Sequence, residues 1–160
     1  PGLEAGAGCG AIGEPLWTGE ALSALAYAAE TVMDAGFATV PEPDAWAARA
    51  GAYAGALPGP GSEALVFWVD VVGPLPGDLL HMRLVGPGGL VVADHAEEVA
   101  GGKVSRFFYL GDRMPAAGWP AGTYRGTFTL SRPEGMNIRA LIDLFREIEI
   151  RAEAGPLPDP

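Results

Sequence analysis

The sequence predicts a mainly β protein, an antiparallel sandwich of about seven strands preceded by a helix. Three observations carry this. In residues 123–131, Tyr124, Phe128 and Leu130 alternate with Thr123, Arg125, Thr127, Thr129 and Ser131, and Gly126 takes the remaining inward slot. That period belongs to a strand with one face in a core and one in water. Residues 64–72 are apolar on both faces: Leu65, Phe67, Val69 and Val71 on one, Val66, Trp68 and Val72 with Asp70 on the other. Such a strand lies in the middle of a covered sheet. Turn signals then recur at roughly 8–12-residue spacing, the pattern of an immunoglobulin-like sandwich.

The elements follow in order. Residues 1–15, rich in Gly, Ala and Glu, read as a linker. Thr18 reads as an N-cap with Glu20 in the first turn, and Leu22, Leu25, Ala26, Ala29, Val32 and Met33 follow at helical spacing. Gly36 is placed to end that helix near Asp34, and residues 36–40 read as a short first strand. Asp44 caps a brief helical turn through Trp46 and Ala48. Residues 16–62 thus form a helical and loop extension that packs on the sandwich.

The sandwich is expected over residues 63–152. After the central strand, Pro76-Gly77-Asp78 turns the chain into Leu80, Met82 and Leu84, which alternate with His81 and Arg83. Gly86-Pro87-Gly88-Gly89 makes a hairpin turn into residues 90–94. Residues 103–110 form another strand, 111–121 a long loop, and the cleanly alternating strand follows. Tyr124 starts that strand, where a tyrosine corner would set its hydroxyl on a nearby backbone group; the alternative is a core ring with its tip in solvent. Residues 136–151 fit both periods, and the reading favours a helical turn near 138–143 and a last strand near 145–151. Residues 153–160 are a tail.

Composition narrows the function classes. The net charge is −10, with seven acids against one base in residues 1–62. A negative field opposes nucleic acid and anionic membrane surfaces, both of which need clustered Lys and Arg. No apolar run reaches the ~20 residues of a membrane span. The chain opens on Pro1 without a basic-then-apolar leader, which reads as a fragment or processed product. Cys9 is the single cysteine, so it pairs outside this sequence or stays a thiol.

Motifs for chemistry are sparse. His81 and His95 stand without HxH, HxxxD, HExxH or CxxC spacing, so no metal and no cofactor is expected. Asp94 and His95 would need Asp112 to join them for even a loose site. Ser23, Ser62, Ser105 and Ser131 lie outside any GxSxG. Glu97-Glu98 and Glu147/Glu149 read as solvated acids rather than a glycosidase pair. No catalytic residue is expected. The candidates for contact with a ligand or partner are Trp119, Arg113, Tyr53 and Trp46, although for Trp119 packing across the open end of the sandwich is the favoured reading. Trp17 and Trp68 read as core.

The succession PLWTGEALSALAY (15–27), DAGFA (34–38), ALVFWVDVVGPLPGD (64–78), LVGPGG (84–89), RFFYLGDR (106–113) and GWPAGTYRG (118–126) resembles the region after the catalytic domain in secreted zinc endopeptidases of the lysostaphin/LytM type, metallopeptidase family twenty-three, of Gram-negative bacteria. The resemblance implies a periplasmic or extracellular accessory domain whose partner is an attached peptidoglycan hydrolase. The HxxxD and HxH ligands of that family do not occur in this sequence, so no zinc ligand transfers to it. Cys9 would then face a cysteine of the catalytic part. The alternative from another class is a carbohydrate- or cell-wall-binding module that takes a glycan or peptide on Trp119, Tyr53 and Trp46.

Overall fold

The computed structural model describes residues 30–55, 58–101 and 103–152. Seven strands form two antiparallel sheets: β1 (Thr31–Ala38), β2 (Ala64–Val72), β3 (Leu79–Val85), β4 (Val91–Glu98), β5 (Ser105–Arg113), β6 (Gly122–Glu134) and β7 (Asn137–Ile150). The first sheet runs β1-β2-β5 and the second β4-β3-β6-β7. This is an immunoglobulin-like sandwich in which the fourth strand stays beside the third. One short helix, α1 (Ala45–Arg49), joins β1 to β2. Asp44 caps it by accepting a hydrogen bond from the Ala47 amide at 2.9 Å.

The alternating residues fill the space between the sheets. Leu65, Phe67, Val69 and Val71 of β2 meet Leu80, Met82 and Leu84 of β3 and Tyr124, Phe128 and Leu130 of β6, all buried in one cluster. Gly126 also faces inward, and it is glycine for a packing reason. A Cβ there would sit 2.4 Å from the Phe67 ring. The ring of the opposite sheet takes the volume that a side chain would have used.

Three expectations change. The helix expected over 18–34 is corrected at its C-terminal end: residues 31–34 belong to β1, while 18–29 lie outside the described residues. The β1–β2 register slips between Val32 and Asp34 and leaves Met33 as an extra residue. The bulge moves the inward phase from Val32 to Ala35 and Phe37, and this three-residue step imitates a helix. The helical turn expected at 138–143 is likewise strand. The β6–β7 register slips at Leu130/Ser131, so Leu141 has no opposite number. Ile138 and Ala140 therefore face out, whereas Ile142 and Leu144 face in. Finally, β5 continues to Arg113, shortening the loop expected over 111–121.

Candidate functional site

Side chains that could carry function gather in three places. At one end of the sandwich, the β5–β6 loop folds over the core. Trp119 is 4% exposed. Its indole donates to the Ser62 carbonyl at 2.9 Å, and it meets Tyr124 edge-on at 6.1 Å between ring centroids. Tyr124 Oη donates to the Pro120 carbonyl at 2.8 Å, the geometry of a tyrosine corner. Burial of this phenol raises its pKa. Gly86 lies under the Tyr124 ring, where a Cβ would come within 2.7 Å.

Trp119 packs across the open end of the sandwich: its ring is committed to the core and its N–H is occupied. It does border, with Arg113, Leu90, Val91, Asp112 and Pro115, a shallow cleft of about 190 Å³. Arg113 is exposed and pairs with Glu63 at 3.2 Å. The set Trp119, Arg113, Tyr53 and Trp46 does not converge. Trp46 stands on α1 at 82% exposure, and Tyr53 lies across the first sheet from the Trp119 end, tilted against Trp68 at 6.2 Å.

The second place is the outer face of the first sheet. Trp68 there is buried with Ala38 and Ala48, and Tyr53 and Phe107 pack on the same cluster. Phe107 stacks on it at 5.6 Å. Beside it Asp70, 1% exposed, receives Arg49 Nε at 2.6 Å and a second guanidinium nitrogen at 2.8 Å. Arg49 also donates to Ser105 Oγ at 2.6 Å. The hydrogen bond to Asp70 and its charge hold the Arg49 pKa above its ordinary value. The pair latches α1 onto the sheet. Sequence reading missed it, although two signals were present: an Asp inside an apolar central strand needs a partner, and Arg49 is the sole base of residues 1–62.

The third place is the outer face of the second sheet. There His81 Nε2 lies 2.6 Å from Asp94 and Arg83 lies 3.4 Å from the same carboxylate; on the opposite face of β4, in register with the inward Met82 and Leu80, His95 lies 3.5 Å from Glu97. Asp112 is on the other sheet, so the loose Asp94–His95–Asp112 arrangement is not assembled. Among the described residues, no three of His, Cys, Asp and Glu gather in a way that could hold a metal ion. Glu97 and Glu98 end β4 rather than lying in a loop. Glu147 pairs with Arg125 at 2.8 Å, and the Arg125 guanidinium lies 4.5 Å above the exposed Phe145 ring. Ser131 Oγ donates to the Leu79 carbonyl at 3.5 Å, and Ser62 Oγ accepts from the Gly59 amide at 2.9 Å. Cys9, Trp17 and Ser23 lie outside the described residues.

One further ion cluster ties β6 to the β2–β3 turn. Asp78, 1% exposed, receives Arg132 at 2.6 and 2.9 Å. Glu30 holds the same guanidinium at 2.7 Å. Burial pushes the Asp78 carboxyl up, but the Arg132 hydrogen bonds and the Leu75 amide outweigh it, and the net pKa is below the ordinary value. Arg132 is correspondingly raised, chiefly by its bond to Asp78.

Comparison with protein families finds no match, and no curated protein matches by sequence. Among solved structures, the crystal structure of the C-terminal domain of wzt is similar at 13% identity and a TM-score of 0.43, covering 79% of this chain and 75% of that one. So slight a likeness assigns neither family nor function. The strand pairing itself establishes the chain as an antiparallel β-sandwich.

Proposed function

We propose that this chain is a non-catalytic accessory domain of a cell-wall endopeptidase, one that positions an attached catalytic domain on peptidoglycan. One observation carries the reading. Four of the five motifs of the resemblance that fall on described residues do architectural work. Residues 64–78 are the central strand and its turn, and 106–113 lie within β5. Residues 84–89 supply the end of β3 and the glycine beneath Tyr124. Residues 118–126 contain the Trp119–Tyr124 corner. A sequence pattern spent on turns and core specifies a scaffold, and the accessory reading gives that scaffold the task of holding a neighbour in place. The exposed apolar groups Leu90, Val91 and Met114 beside the Arg113 cleft suit contact with that neighbour.

The test is peptidoglycan hydrolysis and zinc content of the purified chain and of the full polypeptide that carries it. The reading expects one zinc and hydrolytic activity in the full polypeptide, both assigned outside residues 1–160. A full polypeptide without HxxxD and HxH motifs, or without hydrolysis, overturns it.

A further inference from the structure

The floor of the first sheet's outer face holds a polar group with no partner. Trp68 is 4% exposed, and its indole Nε1–H has no hydrogen-bond partner. Buried indole N–H groups are ordinarily satisfied, so an orphan calls for a reason. The surroundings supply one. The indole Cζ2, Cε2 and Nε1 atoms lie 3.1, 3.4 and 3.6 Å from where a Cβ on Gly36 would stand. The nitrogen edge of the ring therefore points toward β1. There a recess of about 290 Å³ opens along the edge of β1, bordered by Asp34, Gly36, Tyr53 and Ala54 on the side of Trp68 and by Ala35, Phe37 and Ile148 on the core side. Its volume is near the lower bound of small-molecule sites, ~300 Å³.

The chemistry of the lining selects the ligand. Beneath the recess, covered by the segment after α1, lies one donor, Trp68 Nε1–H. The rim offers the exposed Asp34 carboxylate, which accepts from its neighbouring Ala35 amide at 2.8 Å. Tyr53 adds apolar surface. An anion would be repelled by Asp34 and by a chain of net charge −10. A simple cation would leave the indole N–H unanswered. A neutral group that accepts at one atom and donates at the next, with an apolar face, meets all three demands, and a pyranose ring with adjacent hydroxyls is such a group. We propose that this recess binds a neutral saccharide, with a hydroxyl or acetamido oxygen accepting from Trp68 Nε1–H and a neighbouring hydroxyl donating to Asp34. The segment 53–54 shifts outward to admit it, exposing the buried nitrogen. The site goes beyond the accessory role and does not depend on it.

The experiment follows the indole N–H resonances of the full chain in ¹⁵N–¹H spectra, with that of Trp68 assigned through Trp68→Phe. The probes are maltose and N,N′-diacetylchitobiose, which separate a plain pyranose from an acetamido sugar. The proposal expects a saturable shift of the Trp68 resonance with at least one of them. The affinity should weaken about tenfold in Asp34→Ala, which removes a charged hydrogen bond, and the shift should vanish in Ala54→Trp, which fills the recess. Both positions are exposed, so the folded spectrum is retained. No Trp68 shift with either sugar overturns the proposal, as does a shift unchanged by both substitutions. Neither result bears on hydrolysis by the full polypeptide, so failure here is distinguishable from failure of the accessory reading.

Discussion

Adding one methyl group at Gly126 probes the contact between the two sheets. In Gly126→Ala the new Cβ would lie 2.4, 2.5 and 2.7 Å from three carbons of the Phe67 ring. Ordinary carbon contacts are about 3.5–4 Å, so the intrusion is roughly 1 Å into a ring that is itself fully buried. The Gly126 backbone is not in the left-handed region, so alanine meets no dihedral penalty and the whole cost is overpacking. That cost is about 3 kcal/mol, at the upper end for an added methyl group because the obstacle is a rigid ring. For a folded unit of this size it lowers Tm by roughly 10 °C. Phe67→Leu alone should cost about 1–2 kcal/mol. Combined with Gly126→Ala it should relieve the clash, leaving the double variant at least about 1 kcal/mol more stable than additivity requires. Urea unfolding followed by tryptophan fluorescence measures all three variants. Additive effects within about 0.5 kcal/mol would show that residues 67 and 126 do not touch, and the facing of β2 and β6 would be wrong.

Four other outcomes are expected. Tyr124→Phe keeps the ring and loses the bond to Pro120, costing about 1 kcal/mol in chemical denaturation; no change would remove the tyrosine corner as a stabilising contact. Asp78→Ala leaves Arg132 with Glu30 alone and should cost about 3 kcal/mol at pH 7. Because the folded Asp78 pKa lies below its unfolded value, its contribution is complete above about pH 4 and is lost as pH falls through the folded pKa. Stability measured from pH 6 to pH 2 should therefore fall less steeply in Asp78→Asn than in the parent, and parallel profiles would contradict the depressed pKa. Trp46→Ala should change stability by less than about 0.5 kcal/mol, since the side chain stands in solvent; a larger loss would mean that the ring is packed.

The sandwich was legible wherever alternation ran unbroken. β2, β3 and β6 each keep strict phase through the core, and their inward residues follow from sequence period alone. Two of the three errors in the strands lie at bulges. Met33 and Leu141 each insert one residue, reverse the inward phase and leave apolar groups three apart, which is a helix's signature. No local signal separates that from an amphipathic turn; only the pairing partner decides it. The candidate site was less legible because it depends on tertiary company. Trp119 in a Gly-Trp-Pro loop resembles an exposed anchor until Ser62 is found to cap its nitrogen. Trp68 was legible as core, but its unpaired nitrogen depends on β1 and Tyr53 covering it without supplying an acceptor. Arg49 and Asp70 stand 21 residues apart in sequence and meet because α1 folds back over β2.

The proposed accessory role faces its most direct test in the rate at which purified peptidoglycan is solubilised by the full polypeptide, with and without residues 30–152, and by this chain alone. The account expects no release from the chain alone, and a fall in kcat/KM when it is deleted from a catalytic part that still binds its zinc. Release of peptidoglycan fragments by the chain alone, or an unchanged kcat/KM after its deletion, would contradict it.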